Sequence, residues 1–172
     1  MPEKTGDETV SRSDDDHLAL TRSPTLLLLS NSPKGRGVIS SQPIKAGTVV
    51  ETCPVLILDA QENKEHIAKT SLYHYTYNWP ILNADGTKAG QTQAVIFGLG
   101  SMFNHSTRHQ NIGWTRDLDR QVVVYRALRD IPPGEELCIS YGDRLTFVDA
   151  DAGLSESEEE TDDVLLKSIE TI

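Results

Sequence analysis

Ile131-Pro132-Pro133-Gly134-Glu135-Glu136-Leu137 runs without interruption into Cys138-Ile139-Ser140-Tyr141-Gly142-Asp143. Two prolines and a glycine break the chain sharply, and Leu137 to Ser140 is the right size for a short closing strand. Upstream stands Gly100-Ser101-Met102-Phe103-Asn104-His105-Ser106, with Asn111 shortly beyond. Farther upstream is Lys34-Gly35-Arg36-Gly37-Val38, followed by Ile44-Lys45-Ala46-Gly47. A lone Gly-Arg-Gly or Asn-His-Ser is common and says little. The ordered set is specific.

Short strands and turns fill the space between these segments. Leu26 to Leu29 is an apolar run read as a buried strand, and Gly35 and Gly37 punctuate a turn before Val38. Thr48 to Glu51, Val55 to Leu58, Thr92 to Phe97 and Gln121 to Arg126 are rich in β-formers. Gln61 to Lys69 carries good helix formers and predicts one helix. In Leu72 to Tyr77, Tyr73, Tyr75 and Tyr77 alternate with other residues, which predicts a strand with Tyr75 and Tyr77 on one face. Many short strands with little helix imply a mostly β domain.

The formal net charge of −10 is concentrated at the ends. Met1 to Leu20 carries six acidic and two basic residues, and Asp149 to Asp163 carries eight acidic and none basic. Between them the chain is nearly neutral, with 13 basic against 11 acidic residues. The expected organisation is an acidic N-terminal tail (residues 1–22), one domain (residues 23–148) and an acidic C-terminal tail (residues 149–172). In the C-terminal tail, Val164, Leu165, Ile169 and Ile172 recur at helical spacing. Such tails read either as solvated ends or as attractors of a basic partner. No apolar run approaches the ~20 residues needed to span a bilayer, so no membrane partner is expected. Glu3, Lys4, Asp7 and Glu8 at the N-terminus are unlike a secretory leader. Cys53 and Cys138 are too few for a zinc cluster, and a free-thiol intracellular protein without a metal is expected.

The ordered segments resemble the SET domain of protein lysine methyltransferases over residues 30–144. The resemblance implies a β-clip-like fold of several short sheets, few short helices and a pseudoknot in which the last segment threads a preceding loop. It implies S-adenosylmethionine as cofactor and a lysine ε-amine as methyl acceptor. The expected partner is a basic protein substrate, a histone tail first, with no direct contact to nucleic acid. Location would then be nuclear or chromatin-associated, with the cytoplasm as the alternative. The absence of a cysteine-rich flank makes the chain most similar to the minimal single-domain SET proteins of viruses, bacteria and fungi.

Carried over residue by residue, the resemblance assigns Lys34, Gly35, Arg36, Gly37, Asn104, His105 and Tyr141 to the cofactor. Tyr141 is the catalytic tyrosine, and Tyr75, Tyr77, Ile139 and Phe147 fall to the substrate channel. Read without the family, Gly35 and Gly37 make a hairpin turn, Asn104 and His105 are core polar groups satisfied by backbone, and the tyrosine rings pack in the core. Ile139 stands where the family places an aromatic residue that limits methylation. A side chain with no hydroxyl there predicts di- and trimethyl-lysine, unless Ile139 is simply core and another ring such as Tyr77 sets the limit. Two departures matter. Asn104-His105-Ser106 lacks a following Cys-Pro, with Asn111 one residue later than usual. The acidic stretch after Tyr141 also leaves the channel wall to Phe147, to Val164-Leu165-Leu166 or to a second subunit, hence an expected homodimer. A catalytically weak SET-fold module that binds cofactor or histone is the alternative function. Cofactor binding without methyl transfer would separate the two.

Overall fold

The computed structural model describes residues 17–32 and 34–142. Residues 1–16 of the N-terminal tail, the whole C-terminal tail with its expected helix, and Phe147 lie outside them. Strand β1 (Leu26–Ser32) folds back on β2 (Gly35–Ser40) as a separate two-stranded sheet. The main sheet has five strands. β3 (Val49–Ile57), β4 (Thr76–Leu82), β5 (Lys88–Ile96), β7 (Ile112–Asp117) and β8 (Val122–Ala127) lie in the order β4-β5-β3-β8-β7, with antiparallel pairing. Between β5 and β7 comes β6 (Asn104–His105), which pairs in parallel with the last strand, β9 (Cys138–Ile139).

β8 is the most apolar strand and lies inside the sheet, where Val123 and Tyr125 have no exposed surface. Pro80 falls on β4, an edge strand, where a missing N–H costs no ladder bond. Thr48 to Glu51 and Val55 to Leu58 belong to one strand instead of two. Cys53-Pro54 looks like a break because β3 changes partner there. It pairs with β8 from Val49 to Pro54 and with β5 from Val55 to Ile57. Thr21 and Arg22 run alongside β3, with Thr52 N–H donating to Thr21 O at 2.7 Å.

Three other expectations are corrected. Leu26 to Leu29 does form a strand, but Leu27 and Leu28 are 49% and 48% exposed, because β1 pairs only with β2. The expected helix is split into α1 (Ala60–Glu65) and a 3-10 turn, Ile67–Lys69, with the break at His66. Asp59 caps α1 through Oδ1, but α1 buries no residue. A short helix without an apolar face to bury has little to extend it. The alternating tyrosines do not share a strand face either. Ser71–Tyr75 is a 3-10 helix and β4 begins only at Thr76. The hydroxyls of Thr70 and Thr76 bond to the carbonyls of Ile67 and Tyr73 three residues back, which closes tight turns where an extended strand was expected.

The C-terminal described segment is wedged between β2 and the loop around Asn104. Leu137 N–H donates to Val38 O at 2.7 Å, and Ser106 N–H donates to Ile139 O at 3.1 Å. Asn111, with no exposed surface, clips the segment in place. Its Oδ1 accepts Cys138 N–H at 2.8 Å, while Nδ2 donates to Glu136 O at 2.8 Å and to Glu135 Oε1 at 2.6 Å. This is the knot-like crossing implied by the resemblance. Thr107 to His109, between the Asn104-His105 pair and Asn111, make an exposed turn closed by His109 N–H on Ser106 Oγ at 2.8 Å.

Candidate active site

β9 leads directly to Tyr141 at the end of the crossing. The Tyr141 N–H donates to His105 Nδ1 at 3.1 Å, and its hydroxyl donates to Phe103 O at 2.8 Å. Because Nδ1 accepts, the ring proton of His105 sits on Nε2, 3.1 Å from Thr107 Oγ1. Tyr141 keeps 43% of its surface, but the hydroxyl turns inward. Burial of that end, with smaller contributions from Cys138, Tyr75 and Glu136, pushes the phenol up to about 12. It is therefore neutral throughout the physiological range.

Residues 34–37 meet the same pair from β2. Lys34 Nζ donates to His105 O at 3.1 Å, and Asn104 Nδ2 donates to Arg36 O at 2.9 Å and to Glu136 Oε1 at 2.6 Å. The two glycines have different reasons to be there. Gly35 adopts φ +91°, which disfavours any side chain, and the space beside it is open. Gly37 has no room, since a Cβ there would overlap Glu136 Oε1. Asn104→Ala removes a donor to both Arg36 O and Glu136 and loosens this corner. The expected result is a loss of cofactor affinity equivalent to ~1–3 kcal/mol, read by calorimetry on the folded variant; unchanged affinity would contradict it.

Tyr75 and Tyr77 reach the site from different elements. Tyr75, at the end of the 3-10 helix, is exposed and accepts from Arg36 Nη2 at 3.3 Å. Tyr77, on β4, is partly buried, and its hydroxyl donates to Gly100 O at 3.2 Å. Tyr75 lies close enough to raise the Tyr141 phenol, and Tyr141 in turn raises that of Tyr77. Ile139 is fully buried in the core cluster and pairs with His105 two residues before Tyr141.

Trp114, which belongs to none of the sequence motifs, also reaches the site. Its ring meets Tyr77 edge to face at 5.1 Å, and its Nε1–H donates to Ser140 O at 3.2 Å, next to Tyr141. The Arg116 guanidinium covers the Trp114 ring at 4.5 Å. The available signal was the alternation Trp114, Arg116 on one face of β7, three residues beyond Asn111. Among the described residues no group of three His, Cys, Asp or Glu side chains could hold a metal ion.

A family model described as the SET domain matches residues 35–142, which takes in the Gly35–Gly37 strand, Asn104-His105 and Tyr141. The chain belongs to the SET-domain family. A curated relative from Schizosaccharomyces pombe (strain 972), named histone-lysine N-methyltransferase, H3 lysine-37 specific, is similar along nearly its whole length. The identity is 40% over 154 residues, covering 88% of this chain and 97% of the relative. Among solved structures, the Neurospora SET domain protein DIM-5, a histone lysine methyltransferase, superposes with a TM-score of 0.54 at 22% identity. It covers 72% of this chain and 54% of that one. CpSET8 from Cryptosporidium superposes with a TM-score of 0.53 at 25% identity, over 71% and 59% of the two chains. The SET fold thus accounts for the parallel β6–β9 pair and for the wedge that carries Tyr141.

Proposed function

We propose that this SET-domain chain is a protein-lysine N-methyltransferase that moves a methyl group from S-adenosylmethionine to a lysine ε-amine on a histone tail. The observation that carries the reading is the convergence of residues 34–37, Asn104-His105 and Tyr141 on one crossing. Lysine-37 of histone H3 is the first candidate acceptor, as in the curated relative's name. The acidic N-terminal stretch and Asp149 to Asp163 suit a basic tail as substrate. A histone substrate places the protein at chromatin.

The donor set fits such a cofactor. The open backbone at Gly35 admits close approach, Lys34 and Arg36 offer cations to a carboxylate, and Asn104 with His105 offers amide and carbonyl groups. When bound, S-adenosylmethionine supplies a methyl group on a positively charged sulfur. The residues of the chain then have little acid–base work. The lysine amine must arrive neutral, although its ordinary pKa is about 10.4; a neighbouring cation and a dry channel both lower it. Tyr141 stays protonated at neutral pH and so offers no phenolate to serve as its base. With its hydrogen bond directed to Phe103 O, the phenol oxygen would accept weak C–H···O contacts from the methyl of a bound cofactor. Tyr75, Tyr77 and Trp114 wall the lysine stem, and Ile139 adds no polar hydrogen beneath them. Alignment of this kind is worth up to ~7–11 kcal/mol.

The test is incubation with radiolabelled cofactor and histone H3, alongside H3 in which lysine-37 is replaced by arginine. Labelling of the first and loss of label in the second are expected. No label on any histone would overturn the reading. Since burial raises the Tyr141 phenol to about 12, its neutral form persists above the ordinary value of about 10. The rate should therefore climb with pH as the amine deprotonates, with no descending limb before about pH 11. A fall near pH 10 in the kcat/KM profile would show an unshifted phenol. A twofold homodimer that closes the substrate side is also proposed, as two copies can supply the wall that flanking segments give larger relatives. Light scattering at micromolar concentration should read about twice 19.0 kDa, and a mass near 19.0 kDa would count against it.

A further inference from the structure

Tyr125 has no exposed surface, yet it carries a hydroxyl at the centre of the main sheet. Its ring fills the space that a side chain on Gly100 would need and meets Phe103 edge to face at 5.0 Å. Its hydroxyl donates to the hydroxyl of Tyr77 at 3.1 Å, which in turn donates to Gly100 O at 3.2 Å. A phenol has one proton and two lone pairs. The one proton of Tyr77 is therefore committed to Gly100, and one of its lone pairs to Tyr125. The neighbouring polar hydrogens are committed in the same way, Tyr141 to Phe103 O and Trp114 to Ser140 O. A water lodged beside the amine needs two to four polar partners to be well held. Tyr77, Tyr141 and Trp114 have turned their donors to the backbone, which leaves Tyr75, exposed and accepting from Arg36, as the one phenol of this aromatic wall whose proton is not so committed. A water with one such donor would be easily displaced by further methyl groups.

We infer that Tyr125 is the positioning residue that lets this site add more than one methyl group, by holding the Tyr77 hydroxyl against the Gly100 carbonyl. The inference rests on the lysine methyltransferase reading above. Tyr125 itself touches neither substrate nor cofactor and acts through Tyr77. Without the Tyr125 hydroxyl, Tyr77 has both lone pairs and a proton free to leave Gly100, so it can both donate to and accept from a water or the amine and hold it more firmly in the space that later methyls need.

Tyr125→Phe removes one oxygen and keeps the ring that packs on Gly100 and Phe103. A lysine peptide methylated to completion and weighed by mass spectrometry should carry two or three methyls with the wild type. With Tyr125→Phe, the ratio of higher methyl states to monomethyl-lysine should fall about fivefold, the effect of one neutral hydrogen bond. Tyr77→Phe combined with Tyr125→Phe should restore the ratio, since no hydroxyl remains to turn toward the amine. A second measurement needs no turnover. In proton NMR the phenolic protons of Tyr77 and Tyr125 should be protected from exchange in the wild type, and that of Tyr77 should exchange freely in Tyr125→Phe. An unchanged product ratio in Tyr125→Phe, a lowered ratio that persists in the double variant, a Tyr77 proton still protected, or monomethyl-lysine alone from the wild type would each overturn the inference and leave the methyltransferase reading standing. A wild type that transfers no methyl to any lysine would overturn both.

Discussion

Tyr141→Phe is expected to lower methyl transfer by ~10²–10³-fold, the usual cost of removing one aligned polar group from a transition state. Cofactor affinity should stay within a few-fold, because in the proposed mechanism the hydroxyl acts on the moving methyl and contributes little to binding the ground state. The same substitution has a structural cost that must be kept apart. The Tyr141 hydroxyl donates to the carbonyl of Phe103, a residue with almost no exposed surface, and its loss leaves that carbonyl short of a partner. That is worth ~1–3 kcal/mol of stability, too little to unfold a domain stable by ~5–15 kcal/mol. Single-turnover rates and a melting curve on one preparation separate the two effects. A variant that melts a few degrees lower and turns over normally would remove Tyr141 from the chemistry.

What could be read beforehand divides along a physical line. Segments whose conformation is set locally were legible. Pro132-Pro133-Gly134 makes a turn in any context, and Val122 to Ala127 is apolar enough to be an interior strand. The ordered motifs also placed Lys34 to Gly37, Asn104, His105 and Tyr141 in one site, and the fold brings these residues together. What stayed hidden depends on partners far along the chain. Cys53-Pro54 looked like a gap between strands because an exchange of sheet neighbours leaves no mark on composition. Tyr73 to Tyr77 has strand-like periodicity, and only the side-chain bonds of Thr70 and Thr76 decide for a 3-10 helix before β4. Trp114 was missed because its place beside Tyr77 and Ser140 arises from the sheet and the crossing together. Two reasons for glycine, a left-handed φ at Gly35 and a want of space at Gly37, look identical in sequence.

The largest loss of stability is expected at Asn111, which no catalytic reading would single out. Asn111→Ala leaves the Cys138 N–H without the side-chain acceptor it has now and the Glu136 carbonyl without a side-chain donor. At ~1–3 kcal/mol for each of the two buried groups that lose this bond, the total is about 2–6 kcal/mol. For a domain of this size that lowers the melting midpoint by roughly 8–24 °C. Activity should fall with it, because β9 carries Tyr141 and is held to the loop at this point. Asn111→Asp discriminates between packing and hydrogen bonding, since its shape is the same. One oxygen can still accept from Cys138, but the other faces Glu135 Oε1, to which Nδ2 now donates. A new carboxylate at this buried position, next to the partly exposed Glu135 that Arg129 already pairs, has its pKa raised above the unfolded value of about 3.9. A group whose pKa is raised by folding stabilises the fold while protonated and loses that contribution as pH rises through the raised value. The Asp variant should therefore melt closest to the wild type in mild acid and fall progressively behind toward neutrality, whereas the Ala variant should trail by a similar margin at both. Melting curves at about pH 5 and pH 8 decide the matter: an Asp variant that melts with the wild type at both would mean that Asn111 holds the crossing by shape alone.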